Sequence, residues 1–348
     1  MGQNVGTPRI YVDWGSWLKS IGQFELIQEQ DGISTNYDLL YPRIGLNVNV
    51  QEFPTLGVDS WHNVKMTSGA FGYLNNFPNY CAVLGHNFAT VGNRFGVADS
   101  SSTMAMVELV NINPSYPNLV YNDGFSIAKI SNAQEPEYIK PFFAGENNIP
   151  HQQDLKIGAI CYGKYYDFPH SPDLNLTMTI ENDGITTQQT KGGATLTNAR
   201  YTGSPKWGDY GSWELGDGSI ASTLGARTGR RSWNLTFSYL SSKQTLPINA
   251  LGNTVFDTSN ASSYDSTDYT DTLDSDYFNS NVLDGEDFFS AVYSKCGSLG
   301  LPFIFNPQGG NNNNPDMFAI CRFDQNSLQV RQTAPNLYSI SLKIRECW

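Results

Sequence analysis

Tyr338-Ser-Ile-Ser-Leu-Lys-Ile-Arg345 decides the fold class of this chain: Tyr338, Ile340, Leu342 and Ile344 line one apolar face, and Ser339, Ser341, Lys343 and Arg345 line a polar one. A period of two is the mark of a half-buried β-strand. Chain ends fray unless a sheet ties them down, so a strand this regular near residue 348 predicts a C-terminal segment that lies inside the fold.

The residues upstream continue the pattern. Leu301 to Phe305, Met317 to Phe323 and Leu328 to Thr333 read as three strands. Trp233, Leu235, Phe237 and Tyr239 alternate with Ser232, Asn234, Thr236 and Ser238, which predicts a strand with those four aromatic and aliphatic residues inward. Between these strands, Phe288, Phe289, Val292, Tyr293 and Cys296 share one face of a short α-helix, with Asp284 as its N-cap, Asp287 in its first turn and Gly297 as its stop. Leu174, Leu176, Met178 and Ile180 alternate with Asn175, Thr177 and Thr179, predicting a further half-buried strand that ends at Asn182-Asp183-Gly184. The segment 257–287 holds nine acids and no Lys or Arg, the pattern of a long surface loop.

The first half reads as a β-sandwich. Ile44, Leu46, Val48 and Val50 alternate with Gly45, Asn47 and Asn49. Tyr80 to Gly85, Met104 to Val110, Ile139 to Ala144 and Ile157 to Gly163 are short continuous apolar runs, as strands buried on both faces require. Asp167-Phe-Pro-His-Ser-Pro-Asp173 carries two prolines in seven residues and marks the expected boundary. The predicted organisation is all-β, with a β-sandwich over residues 1–168 and a second β domain over 169–348 that contains the acidic insertion at 257–287.

Composition agrees with that class and excludes others. At 348 residues and 39 % hydrophobic content the chain can fill two cores, and its 32 glycines with only 16 % charged residues suit strands joined by turns. A net charge of −12 with 21 basic residues argues against specific nucleic-acid binding. Five cysteines without C-x-x-C spacing indicate neither a disulfide framework nor a zinc site, and Cys81, Cys161 and Cys321 read as packed thiols. No apolar run approaches the roughly 20 residues of a membrane span. Met1 to Trp14 has no signal-peptide pattern, and Gly6 stands where a myristoylation signal needs Ser or Thr, so synthesis in a cytoplasm without export is expected.

Taken in order, Arg231-Ser-Trp-Asn-Leu-Thr-Phe237, the Phe-rich helix, Leu301-Pro-Phe-Ile-Phe305, Phe318-Ala-Ile-Cys-Arg-Phe-Asp324 and the final strand to Glu346 resemble minor tail and distal tail proteins of long-tailed bacteriophages. The resemblance covers roughly Leu174 to Trp348. It implies a split β-barrel with one packed α-helix, in a virion subunit that forms a hexameric or trimeric ring around the DNA channel and contacts other tail proteins. The acidic insertion and the large N-terminal half depart from that family. Asn79-Tyr-Cys-Ala-Val-Leu-Gly-His-Asn-Phe88 and Lys156-Ile-Gly-Ala-Ile-Cys-Tyr-Gly163 resemble galactose-binding-like jelly-roll domains of phage structural proteins, whose loops bind sugar or another subunit.

No catalytic, cofactor or metal site is expected. The chain lacks a P-loop and an H-E-x-x-H motif, and Gly216-Asp-Gly-Ser219 lacks the last glycine of a nucleophile elbow. His62, His86, His151 and His170 have no metal-ligand spacing, and Asp265, Asp268, Asp271 and Asp274 lack the alternation of a compact calcium loop. Trp207, Tyr210 and Trp213 have the aromatic faces to stack on sugar or to anchor a subunit contact, and the contact is the reading preferred. Arg230 and Arg231 join them as partners for the acidic segment of a neighbouring subunit. Trp61, Tyr73, His86 and Asn87 form a candidate glycan or partner loop on the sandwich, although His86 equally suits a hydrogen-bonded histidine at a strand end. The expected function is therefore a structural virion protein of the phage tail. A host-receptor or glycan-binding adhesin and a capsid decoration protein are the alternatives.

Overall fold

The computed structural model describes residues 6–22, 25–28, 51–53, 61–67, 78–86, 93–98, 107–108, 119–122, 124–129, 138–145, 155–157, 159–181, 185–199, 206–207, 210–211, 230–247, 285–309 and 318–347. Those residues are mostly β. In the first half the elements are β1 (Arg9–Val12), α1 (Trp14–Ser20), β2 (Glu25–Gln28), β3 (Gln51–Phe53), β4 (Trp61–Thr67), β5 (Tyr80–His86), β6 (Asn93–Ala98), β7 (Val107–Glu108), β8 (Leu119–Asn122), β9 (Gly124–Lys129), β10 (Tyr138–Gly145), β11 (Leu155–Ile157), β12 (Ala159–Gly163) and β13 (Tyr165–Asp167). The second half contributes β14 (Thr177–Glu181), β15 (Ile185–Gln189), β16 (Thr195–Ala199), β17 (Lys206–Trp207), β18 (Tyr210–Gly211), β19 (Arg230–Leu240), α2 (Ser242–Thr245), α3 (Phe289–Gly297), β20 (Phe303–Asn306), β21 (Ala319–Phe323), β22 (Val330–Ala334) and β23 (Leu337–Glu346).

The largest sheet has the order β13-β1-β20-β21-β23-β19-β14, with β22 also paired to β23. Its centre is the strand that the alternation of residues 338–345 predicts. Tyr338, Ile340, Leu342 and Ile344 are all buried, and Trp233, Leu235 and Phe237 of β19 stand in register beside Ile344, Leu342 and Ile340. Tyr239 departs from its expected place. The register breaks between Phe237 and Leu240, Tyr239 takes a φ of 62° and is 77 % exposed, and Leu240 turns inward opposite Tyr338 instead. One extra residue in a bulge is enough to reverse which side chain meets the core.

The strand expected from Leu174 to Ile180 also differs. It begins at Thr177, and Met178 and Ile180 are each 54 % exposed while Leu174 is 99 % exposed. Position in the sheet explains this. Met178 pairs with Trp233 and Ile180 with Arg231, so both lie on the core face, but among the described residues β14 is an edge strand and no packed layer extends over it.

Val292, Tyr293 and Cys296 of α3 and Phe288 just before it are buried as predicted, whereas Phe289 is only half-buried, and α3 is a π-helix rather than the expected α-helix. Its last turns close across five residues, Ser298 N–H to Tyr293 O at 3.0 Å and Leu301 N–H to Cys296 O at 2.9 Å. That wider spacing brings Ser290 and Lys295 inside, where Lys295 Nζ donates to Ser290 O at 2.6 Å and lies 5.3 Å from the Trp17 ring. Asp287 acts as the cap, accepting from Ser290 N–H at 2.9 Å. Gly297 suits its place because a Cβ there would meet the Tyr293 ring at 2.4 Å. Ile44 to Val50, the turn Asn182 to Gly184, the cap Asp284 and the acidic segment up to residue 284 lie outside the described residues. Of Met104 to Val110, β7 alone is described.

The expected boundary between residues 168 and 169 runs through the large sheet. β1 pairs with β20 from Arg9↔Asn306 to Val12↔Phe303, and with β13 on its other edge. Arg9 fastens that corner with two bonds to the Asp167 carboxylate at 2.5 and 2.7 Å, its guanidinium 4.2 Å from the Tyr165 ring centre. β12 enters β13 through Gly163, where φ is 156° and a Cβ would lie 2.2 Å from Val12 O. The other strands form a four-stranded sheet, β12-β5-β9-β8, a five-stranded sheet, β2-β4-β10-β6-β7, and two-stranded pairs. Strand β5 is buried on both sides: Cys81 and Val83 join the core containing α1 and α3, and Tyr80, Ala82 and Leu84 join a second core with Tyr11, Ile304 and Ile320. Its unbroken apolar run follows from that double burial.

α1 was not predicted from the sequence. Asp13 caps it, accepting from Gly15 N–H at 3.1 Å and Ser16 N–H at 3.3 Å, and burial pushes its carboxyl up to about 7. The folded chain then holds a proton that the unfolded chain releases at ordinary carboxylate pH, so the stability contribution at Asp13 is greatest in acid and declines as pH rises from about 4 to about 7. Asp13→Asn keeps a capping oxygen and removes the titration. In urea denaturation, the stability of the native chain should fall relative to Asp13→Asn across that window, and parallel curves would contradict the assignment.

Candidate subunit-contact site

Arg230 and Arg231 stand at the start of β19, where the sheet runs out to its edge. Arg231 donates through Nε and Nη2 to Glu346 Oε1 at 3.0 and 2.7 Å, and through Nη2 to Phe318 O at 3.0 Å. Its own backbone N–H donates to Glu346 Oε2 at 2.7 Å, and its guanidinium lies 5.2 Å from the Trp233 ring centre. The Glu346 side chain is 4 % exposed. This is a strap joining β19, the end of β23 and the start of β21 within one subunit. Three of the five guanidinium N–H donors of Arg231 are thus directed at Glu346 and Phe318 of its own subunit.

Arg230 stands opposite Glu181 of β14 in register. Glu181 also accepts from Arg345 Nη2 and from Ser232 Oγ. The charges at this end of the sheet therefore bind β14 to its neighbours. Trp207 and Tyr210 are register partners in the β17–β18 ribbon, and Trp213 lies outside the described residues.

The second expected cluster is divided between sheets. Trp61 begins β4 of the five-stranded sheet, whereas His86 ends β5 of the four-stranded sheet, opposite Gly124 and just past a register break. Tyr73 and Asn87 lie outside the described residues. Among the described residues no group of three or more His, Cys, Asp or Glu could hold a metal ion, and no helix is long and apolar enough to cross a membrane. All five cysteines are buried free thiols, and burial raises their pKa values, that of Cys347 to about 11. Such thiols pack rather than react.

What the sequence reading did not single out is the edge itself. Beyond β14, strands β15 and β16 form a hairpin from Ile185↔Ala199 to Gln189↔Thr195. Every residue from Ile185 to Asn198 is exposed, so the hairpin is an arm with two bare faces. Its turn is well made: Thr190 N–H donates to Ala194 O at 2.8 Å, and Gly193 has a φ of 82°. Of the eight exposed large apolar residues among the described residues, Leu174, Met178, Ile180, Ile185, Leu196 and Tyr239 belong to β14, its lead-in, the arm and the β19 bulge. The sequence signal for the arm was Lys191-Gly192-Gly193 between two Thr-rich segments. With one large apolar side chain in each strand, it offered no core-forming pattern to notice.

Arg231→Ala should cost roughly 3–5 kcal/mol because it leaves the buried Glu346 carboxylate without its partner. Urea denaturation would measure this, and the double variant Arg231→Met/Glu346→Leu should recover much of the loss. A loss below about 1 kcal/mol, the level of a surface ion pair, would contradict the strap. Comparison with protein-family models finds no matching family, and comparison with curated proteins and with solved structures finds no match.

Proposed function

We propose that this chain is a structural subunit of a tailed-bacteriophage virion, a ring-forming distal-tail or tail-tip protein whose work is assembly. In this reading the C-terminal half is a split β-barrel and the N-terminal half a jelly-roll sandwich. The observation that carries it is the open edge at β14 with the bare arm beside it. An isolated two-stranded hairpin is marginal in water, so an arm exposed on both faces is suited to completion by another subunit. The surrounding chemistry supports assembly over catalysis: Arg231 and Glu346 bind one another, and the thiols are sealed in the core. A net charge of −12 suits a channel that lets DNA pass without gripping it.

Negative-stain electron microscopy of the purified full chain should show closed rings with six-fold or three-fold symmetry. Monomers at every concentration, together with saccharide binding on a glycan array, would replace this proposal with the adhesin reading.

A further inference from the structure

We propose that β14 pairs with β14 of a second copy of this chain, antiparallel and centred on Thr179. This deepens the assembly reading by naming the partner, and it rests on that reading in taking the edge as a contact surface. The large sheet offers three edge strands among the described residues. β13 is protected, because Tyr165 N–H is taken by Asn79 Oδ1 at 2.8 Å and Arg9 and Asp167 close the corner. β22 presents the exposed polar residues Arg331, Gln332 and Thr333. β14 presents Thr177-Met-Thr-Ile-Glu181, with no Lys, Arg or Pro to repel a further strand.

The occupant follows from self-complementarity. Opposed residues in an antiparallel pair share a face, so a register that pairs odd with even residues would set Met178 and Ile180 against threonines. Among the remaining registers, the one centred on Thr179 uses all five residues. It places Met178 opposite Ile180 of the second copy, Thr179 opposite itself and Thr177 opposite Glu181. Apolar meets apolar, threonine meets threonine, and the two Glu181 carboxylates stay apart, each beside its own Arg230 and Arg345. The core face, which ends at Trp233 and the half-exposed Met178, then continues across the pair. Because β13 is blocked, a head-to-tail β14–β13 contact is disfavoured and a two-fold contact is what the edges allow; a two-fold contact pairs copies and does not close a ring, so on the assembly reading ring closure falls to another contact, the β15–β16 arm.

The test uses the full chain with Thr179→Cys, which adds an exposed thiol to a protein whose own five are buried. Directly opposed residues have Cβ atoms about 4.5–5.5 Å apart, close to disulfide reach. Mild oxidation should convert most of Thr179→Cys into a dimer on a non-reducing gel, while the exposed control Ser327→Cys and the native chain stay monomeric on that gel. Met178→Lys/Ile180→Lys alters two half-exposed side chains, so it should keep the native circular dichroism yet shift the chain by light scattering toward its 38.6 kDa monomer. Assemblies that form without Thr179 cross-linking would overturn the two-fold pairing and leave the assembly reading standing. Thr179-linked dimers without rings would do the reverse, and a native chain that stays monomeric at all concentrations would overturn both.

Discussion

The burial of β23 is the constraint on which the rest of the fold depends. This strand pairs along one edge with β19 and along the other with β21 and then β22, and its inward side chains are almost wholly removed from water. Burying Leu342 and Ile344 with their neighbours is worth about 1.5–3 kcal/mol for each side chain. Each is held against β19 residues that are equally buried. Glu346, at the end of the same strand, then supplies the carboxylate that draws in Arg231 and, through it, Phe318. The π-helix and α1 both contribute to the core on this inner face.

That constraint was legible because it is local and periodic. The strands at Phe303, Ala319, Val330 and Leu337 occur within a residue or two of where alternation and apolar runs put them, since each pattern reports its own burial. The pairing of β1 with β20 was not legible. Four residues near the start of the chain carry no sign that they will insert beside a strand almost three hundred residues later. Tyr239 was misplaced for a related reason: a bulge changes the period that the reading assumes. Met178 and Ile180 show the opposite failure. Their alternation is genuine and their face is the core face, but alternation does not say where a sheet ends.

The contact residues nominated from composition were sought among aromatic and charged side chains, because these dominate interfaces in general. The structure puts Arg231 to internal use and separates Trp61 from His86 by sheet. It brings forward instead a plain strand of threonines, a methionine and an isoleucine, followed by an arm rich in Thr and Gln. Backbone groups on an open edge provide the directionality of such a contact and the apolar row provides its register. Neither has a sequence motif.

The most direct test is hydrogen exchange of the β14 amides as a function of protein concentration. Every second residue of an edge strand turns its N–H outward, so these amides are free in a monomer and bonded when another strand is added. If β14 is completed by another subunit, the outward amides between Thr177 and Glu181 should gain protection as concentration rises, while those of β23 stay protected throughout. Exchange at β14 that does not change with concentration, in samples shown to be associating, would contradict the account.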